Sequence, residues 1–122
     1  MRYIRFIVTS DHPDDTRCTG VVASLRILGE AGHLPEYHVK SSAEIFENMN
    51  ANLPCPPFEE KGWCGNSVSW FKETAQEWIR VFRGIVAILE DSGFQVRVLT
   101  TIDPGTILYE DAFQIVARSR RY

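Results

Sequence analysis

Carboxylates and one imidazole are clustered in the segment that follows the first apolar stretch of the chain. The segment contains Asp11, His12, Asp14 and Asp15. Oxygen ligands of this kind bind hard divalent cations, and the same side chains serve as general acids and bases. Aspartate is also a common N-cap, so the segment is typical of the solvated start of a helix. We favour the cap, because no second cluster with ligand spacing accompanies the first.

A further pair of carboxylates, Glu110 and Asp111, follows Tyr109 in a stretch with turn chemistry. A metal-dependent nuclease would need acidic side chains on adjacent strands and a lysine that positions water. No lysine follows the pair, and acidic residues are frequent in hairpin turns. A polar turn is therefore the favoured interpretation. A small metal-assisted hydrolase that uses Asp14, Asp15, Glu110 and Asp111 is the alternative hypothesis.

Two cysteines and two histidines supply the ligand types that zinc prefers. They are Cys55, Cys64, His33 and His38. Cysteine ligands of compact zinc sites are separated by about two to four residues, whereas eight residues separate this pair. Because the spacing matches weakly, we expect no metal and no cofactor.

Aromatic and basic side chains in the second half of the chain have the composition of a protein-interface anchor. Trp63 lies in a glycine-flanked segment, and Trp70, Arg80 and Arg83 follow it. We expect these four residues to bind a protein partner. The alternative is that Trp63 covers the apolar face of a helix and that the arginines form ordinary surface ion pairs.

The elements that must position these residues are clearest in the C-terminal half. Apolar side chains recur at helical spacing from Phe71 to Leu89, which predicts one helix capped by Ser69 and ended by Gly93. The period then changes to two over residues 94–98, which predicts a strand. Residues 103–105 form a Pro-Gly turn.

A hairpin follows that turn. With a loop of three residues, the apolar side chains of Ile107, Tyr109, Phe113, Ile115 and Ala117 share one face. A loop of two residues at 110–111 would instead pair Tyr109 with Ala112. The buried pattern favours the three-residue loop.

The N-terminal half predicts a strand followed by helices. Ile4, Phe6 and Val8 alternate with their neighbours as in a strand. Apolar residues at helical spacing over 21–28 predict a first helix, and Pro35 suits the first turn of a second. Residues 53–58 contain three prolines and predict an extended connector, and residues 59–67 predict a loop.

Composition predicts a single globular domain over residues 1–122. The chain is 44% hydrophobic and 24% charged, which excludes general disorder. A net charge of −3 makes nucleic acid an unfavoured partner without a local basic patch. No apolar stretch reaches the length of a membrane-spanning helix, so no membrane partner is expected. The first ten residues predict a strand rather than an export signal, and with three cysteines the chain suits the cytoplasm.

Several short pieces of the C-terminal part are distinctive: Trp70-Phe71-Lys72, Ile79-Arg80, Leu89-Glu90, Val96-Arg97, Pro104-Gly105 and residues 109–116. Together they resemble a group of small bacterial proteins of uncharacterised function. The resemblance implies a bacterial or phage-related origin and a shared fold. It transfers no activity, cofactor or site.

These observations predict an α+β fold. The first strand, the strand after the long helix and the hairpin form a small antiparallel sheet, and about three helices cover one of its faces. The pattern leaves open whether the first strand pairs in parallel with one of the others. It also leaves open the order of the strands in the sheet. The function expected is a cytoplasmic protein-binding module, accessory or phage-related, that acts by binding rather than by catalysis. We also expect the protein to form a homodimer.

Overall fold

The computed structural model describes residues 1–9, 19–62 and 67–118 of the chain. It confirms the predicted α+β class. The elements, in chain order, are β1 (Tyr3–Thr9), β2 (Thr19–Gly20), α1 (Val21–Glu30), α2 (Glu36–Asn52), α3 (Phe58–Lys61), β3 (Val68–Lys72), α4 (Gln76–Asp91), β4 (Gln95–Thr101), β5 (Thr106–Glu110) and β6 (Gln114–Arg118).

The strands form one open sheet in which every described pairing is antiparallel. The order is β4-β1-β3-β6-β5, and the short β2 lies beside β3 along the same edge of β1. β1 pairs with β4 along all seven of its residues. It meets β3 through only two residue pairs, Tyr3 with Lys72 and Ile4 with Phe71. The sheet therefore consists of a β4-β1 ribbon and a β3-β6-β5 ribbon that touch at one corner.

The hydrophobic core lies between one face of this sheet and the helices. Phe6 and Val8 of β1 and Phe71 of β3 pack against the apolar side of α4. The Phe71 and Phe82 rings meet edge to face, with their centroids 4.6 Å apart. We call the side of the sheet that packs against the helices the helix face.

The opposite face also contains fully covered side chains. Ile115 and Ala117 of β6 have no exposed surface, and Ile7 of β1 is 3% exposed. Side chains alternate between faces along a strand, so Trp70, which pairs with Ile115, points to this side. Val116, on the helix face, is buried as well, so β6 is the most enclosed strand of the sheet.

The predicted helix start at Ser69 is wrong. Residues 68–72 form β3, and α4 begins at Gln76 after a turn, with Ala75 at its N-cap. The segment pairs with β6 along residues 68–71 and with β1 at Phe71 and Lys72. A helix there would leave the backbone groups of β6 and β1 at these positions without their strand partner. The predicted end is confirmed, because Gly93 has a φ of +94°.

The hairpin register also differs from the prediction. Ile107 pairs with Ala117 as expected for a shared face, but Tyr109 pairs with Val116. Leu108 is an extra residue between these two pairs and forms a β-bulge, which turns Tyr109 to the helix face, away from the side that Ile107 occupies. Three residues separate the ends of β5 and β6, but the pair of Glu110 with Ile115 encloses four residues, so the odd-numbered loop that was favoured does not set the register.

The N-terminal elements follow the predictions closely. β1, α1 and α2 lie where they were expected, and Pro35 precedes the first residue of α2. Residues 53–57 contain no helix or strand, as their prolines predict. One helical turn, α3, begins at Phe58 and runs into the segment predicted to be a loop. α2 packs against α4 where Gly84 comes close to Ile45.

Candidate protein-binding edge

Glu110 and Asp111, the acidic pair of the alternative hydrolase, are each held in structural contacts. Glu110 forms an ion pair with Lys72 of β3. This lysine lies before the acidic pair in the sequence, so the absence of a lysine after the pair gave no sign of it. Asp111 closes the β5–β6 loop: Oδ1 accepts the backbone N–H groups of Phe113 and Gln114 at 2.8 and 3.0 Å. The two carboxylates therefore contact separate partners.

The second oxygen of Asp111 has side-chain donors. The hydroxyl of Tyr109 donates to Oδ2 at 2.9 Å, and Nε2 of Gln114 does so at 3.2 Å. The same Nε2 donates to the carbonyl oxygen of Pro54 at 2.6 Å, which ties the proline-rich connector to the hairpin. The hydrogen bond to Asp111, followed by burial and the negative charge of Asp111, raises the pKa of Tyr109 above its ordinary value of 10.0.

The remaining acidic and zinc-type residues are not brought together in the described ranges. Asp14, Asp15 and Cys64 lie outside those ranges. Nε2 of His38 contacts a carboxylate oxygen of Asp91 at 2.6 Å, which joins α2 to the end of α4. His33 and Cys55 are exposed. Over residues 1–9, 19–62 and 67–118, no three His, Cys, Asp or Glu side chains are grouped as metal ligands.

The predicted partner-binding residues are divided between the two sides of the sheet. Arg80 and Arg83 are exposed on α4, and the Arg83 guanidinium lies 5.8 Å from the ring centre of Phe6 on the helix face. Trp70 lies on the opposite face, where its indole Nε1 is buried and has no hydrogen-bond partner in the described structure. Trp70 therefore cannot share one contact surface with the α4 arginines. Trp63 is outside the described ranges.

β4 presents a different kind of binding element. Its alternating valines, with Thr100 and Thr101 at its end, favour extended backbone. β1 covers one of its edges along the whole strand, and no strand of the described chain pairs with the other edge. An open edge exposes backbone N–H and C=O groups in the geometry that accepts another strand.

The hydrogen-bond pattern identifies which backbone groups face the open edge. The N–H of Glu73, next to β3, donates to the carbonyl of Arg2 at 3.0 Å. Because backbone polar groups alternate between the two edges of a strand, the odd-numbered residues of β1 bond to β4. Their partners are the odd-numbered residues of β4, Gln95 to Thr101. The groups that face the open edge belong to Val96, Val98 and Thr100.

Nothing in β4 protects this edge. The strand has no proline and pairs in a regular register with β1, and Arg97 is its one charged residue. By contrast, β5 at the other side of the sheet has five residues and a bulge at Leu108, a feature that discourages strand addition. β4 is therefore the edge that is ready for pairing.

Apolar surface accompanies the open edge. Val98 points to the helix face and yet is 48% exposed, because the helices do not cover the outer side of β4. Ile102, directly after the strand, is 78% exposed. Sequence reasoning predicted the strand but missed its position, because alternation does not reveal which strand is at an edge. The absence of proline and lysine from residues 95–101 was the available signal.

Within the described residues, no helix combines the length and the apolar character that crossing a membrane requires. The resemblance to small bacterial proteins stays a prediction. Comparison of the chain with protein-family models, with curated proteins and with solved structures gave no match.

Proposed function

We propose that this chain is a small protein-binding module that takes up an extended segment of a polypeptide partner along β4. The observation that carries the proposal is the edge of β4 with which no strand of the described residues pairs, while the other edge forms a regular seven-residue ladder with β1. Strand addition uses the main chain for affinity and alternate side chains for specificity.

The side chains of β4 suit this mode of binding. Val98 offers apolar surface on the helix face, and Arg97 is exposed on the opposite face. A partner strand would therefore meet an apolar contact on one side and a positive charge on the other. This difference between the faces favours one orientation of the added strand.

Binding rather than catalysis is further supported by the contacts of the acidic pair. Glu110 is occupied by Lys72, and Asp111 is occupied by the hydrogen bonds of its own turn. We place the module in the cytoplasm of a bacterium or phage-infected cell, which the exposed free thiol of Cys55 and the sequence resemblance support.

The test uses a photo-crosslinking amino acid at Thr100, which is exposed beside the open edge, and at Val39 on α2 as the control position. A protein captured from Thr100 and not from Val39 is purified and titrated against the wild type and against Val98→Pro. Proline at position 98 removes an N–H that faces the open edge and leaves the pairing with β1 intact.

We expect Val98→Pro to weaken binding of that purified partner by about tenfold, since a lost hydrogen bond and a steric clash cost roughly 1.4 kcal/mol. The variant Val39→Lys should bind like the wild type. Equal affinity of Val98→Pro and the wild type would exclude β4 as the binding element. Circular dichroism checks that both variants are folded.

A further inference from the structure

We infer that the strand accepted by β4 is β4 of a second copy of this chain. The two strands run antiparallel about a two-fold axis at Val98 and join two sheets into one. This inference rests on the proposed role of β4 as a binding edge and identifies the polypeptide that occupies it. It is carried by the direction of the backbone groups and by the side-chain pattern of the strand.

The backbone geometry of β4 is complementary to itself. Val98 is the middle residue of Gln95–Thr101, so an axis at Val98 pairs the strand over its full length. The backbone groups at the open edge, on Val96, Val98 and Thr100, are then placed opposite Thr100, Val98 and Val96 of the second copy. Each copy donates three backbone hydrogen bonds and accepts three, with none of these edge groups left over.

The side chains agree with the same register. On the helix face, the half-exposed Val98 meets Val98 of the second copy, and Val96 meets Thr100, which are favourable β-branched pairs. On the opposite face, Arg97 is placed beside Leu99 of the second copy. No like charges lie directly opposite one another, although the strand carries a charge.

Neighbouring registers are poorer. An axis at Arg97 would place the two arginines directly opposite each other, which destabilises a strand pair. An axis at Leu99 places Val96 opposite Ile102, beyond the end of the strand, and an axis at Arg97 likewise places Thr100 opposite Phe94. The full-length register is therefore the one that pairs all the outward backbone groups and also keeps the two arginines apart.

The second copy also accounts for the exposed apolar side chain after the strand. Continued past the strand end, the register places Ile102, 78% exposed, beside Phe94 of the second copy. The net charge of −3 on each copy opposes association only weakly, because salt screens charges more than about 8 Å apart at physiological ionic strength. A single strand pair buries little surface, so we expect a concentration-dependent dimer.

The experiment uses charge at the two-fold axis. Val98→Lys and Val98→Glu each place two like charges opposite one another in the dimer, and an equimolar mixture places lysine opposite glutamate. Sedimentation velocity measures dimerisation, and native mass spectrometry distinguishes the mixed dimer by mass. The matched control is Val39→Lys, because Val39 on α2 is 50% exposed, nearly as much as Val98 at 48%.

We expect wild-type protein and Val39→Lys to dimerise equally. Each Val98 variant alone should form a dimer that is at least about tenfold weaker than the wild-type dimer. The equimolar mixture should recover the dimer. A monomeric wild type at every soluble concentration overturns the inference, and so does a dimer that neither Val98 variant weakens. A monomer that still binds a distinct protein in a Val98-dependent way overturns this inference alone and leaves the proposed function standing.

Hydrogen exchange on the wild type provides a readout that requires no variant. The amides of Val96, Val98 and Thr100 should gain protection as protein concentration rises, whereas those of Arg97 and Leu99 are protected by β1 at every concentration. Outward amides that exchange at the same rate across the dimerisation range contradict the proposed ladder.

Discussion

Asp111 accepts hydrogen bonds from two backbone N–H groups, one hydroxyl and one amide side chain. From sequence alone, its position beside Glu110 suited either a turn or a metal ligand. The structure places it at the first position of the β5–β6 loop, where nearby donors bind its carboxylate. Such a carboxylate organises the turn that carries it.

Replacing Asp111 with asparagine should destabilise the fold and change the titration of Tyr109. Asparagine offers one acceptor oxygen in place of two, so we expect unfolding free energy to fall by about 1–2 kcal/mol in urea denaturation. The pKa of Tyr109 should fall toward 10.0, because its main cause of elevation is removed. Ultraviolet absorbance titration of the tyrosines measures this change.

The pH dependence follows from the direction of that pKa shift. A tyrosine whose pKa is raised in the folded state stabilises the fold below pH 10 and loses this contribution as the pH rises through the folded value. The wild type should therefore lose more stability above pH 10 than Asp111→Asn does. Asp103→Asn, the same change in the turn between β4 and β5, should leave the Tyr109 titration unaltered, and a change there would contradict the assignment.

Among the elements, α4 and β3 show why one boundary was predicted wrongly. Phe71, Ala75, Trp78 and Phe82 are spaced as on a single helix face, and all four pack in the same core. Phe71 nevertheless belongs to a strand, and a turn separates it from α4. The strand and the helix cover the same core, so the apolar spacing continues across a change of secondary structure that local sequence cannot show.

Gly84 offers a test of α4 itself. A Cβ atom at this helical position would lie 3.8 Å from Cδ1 of Ile45, an ordinary van der Waals distance. Gly84→Ala should therefore raise the unfolding free energy by about 0.5–1 kcal/mol through helix propensity. The comparison is Gly93→Ala, where φ is +94° and alanine should destabilise by roughly 1–2 kcal/mol. Destabilisation by Gly84→Ala would show that α2 and α4 pack too closely for a methyl group.

At the scale of the whole molecule, the class of fold could be predicted and the order of strands could not. Alternation identified β1, β4 and the hairpin, and proline and glycine marked several of their ends. Strand order depends on which segments meet across long stretches of chain, as when β3 enters the sheet between β1 and β6. The open edge of β4 is a consequence of that order, so local patterns could identify the strand and its lack of proline and lysine but not its place at the edge of the sheet.

The enclosure of β6 predicts how the sheet opens. Ile115, Val116 and Ala117 have no exposed surface, and β6 is paired on both sides. Their amides should exchange only through global unfolding, whereas amides of β5 at the bulged outer edge should exchange through smaller openings. Native-state hydrogen exchange with increasing urea separates the two. Exchange of the β6 amides that is insensitive to urea would contradict this ranking.

The pairing of β1 with β4 also determines when this part of the sheet can form during synthesis. Phe6 at the start of the chain pairs with Val98 near its end. At translation rates of about 5–20 residues per second, roughly 5–20 seconds pass between the synthesis of these two residues. Throughout that interval the apolar strand at the N-terminus lacks its long-range partner. The nascent chain is therefore expected to depend on α1 and α2, or on a ribosome-associated chaperone, to shield β1 until β4 has been synthesised.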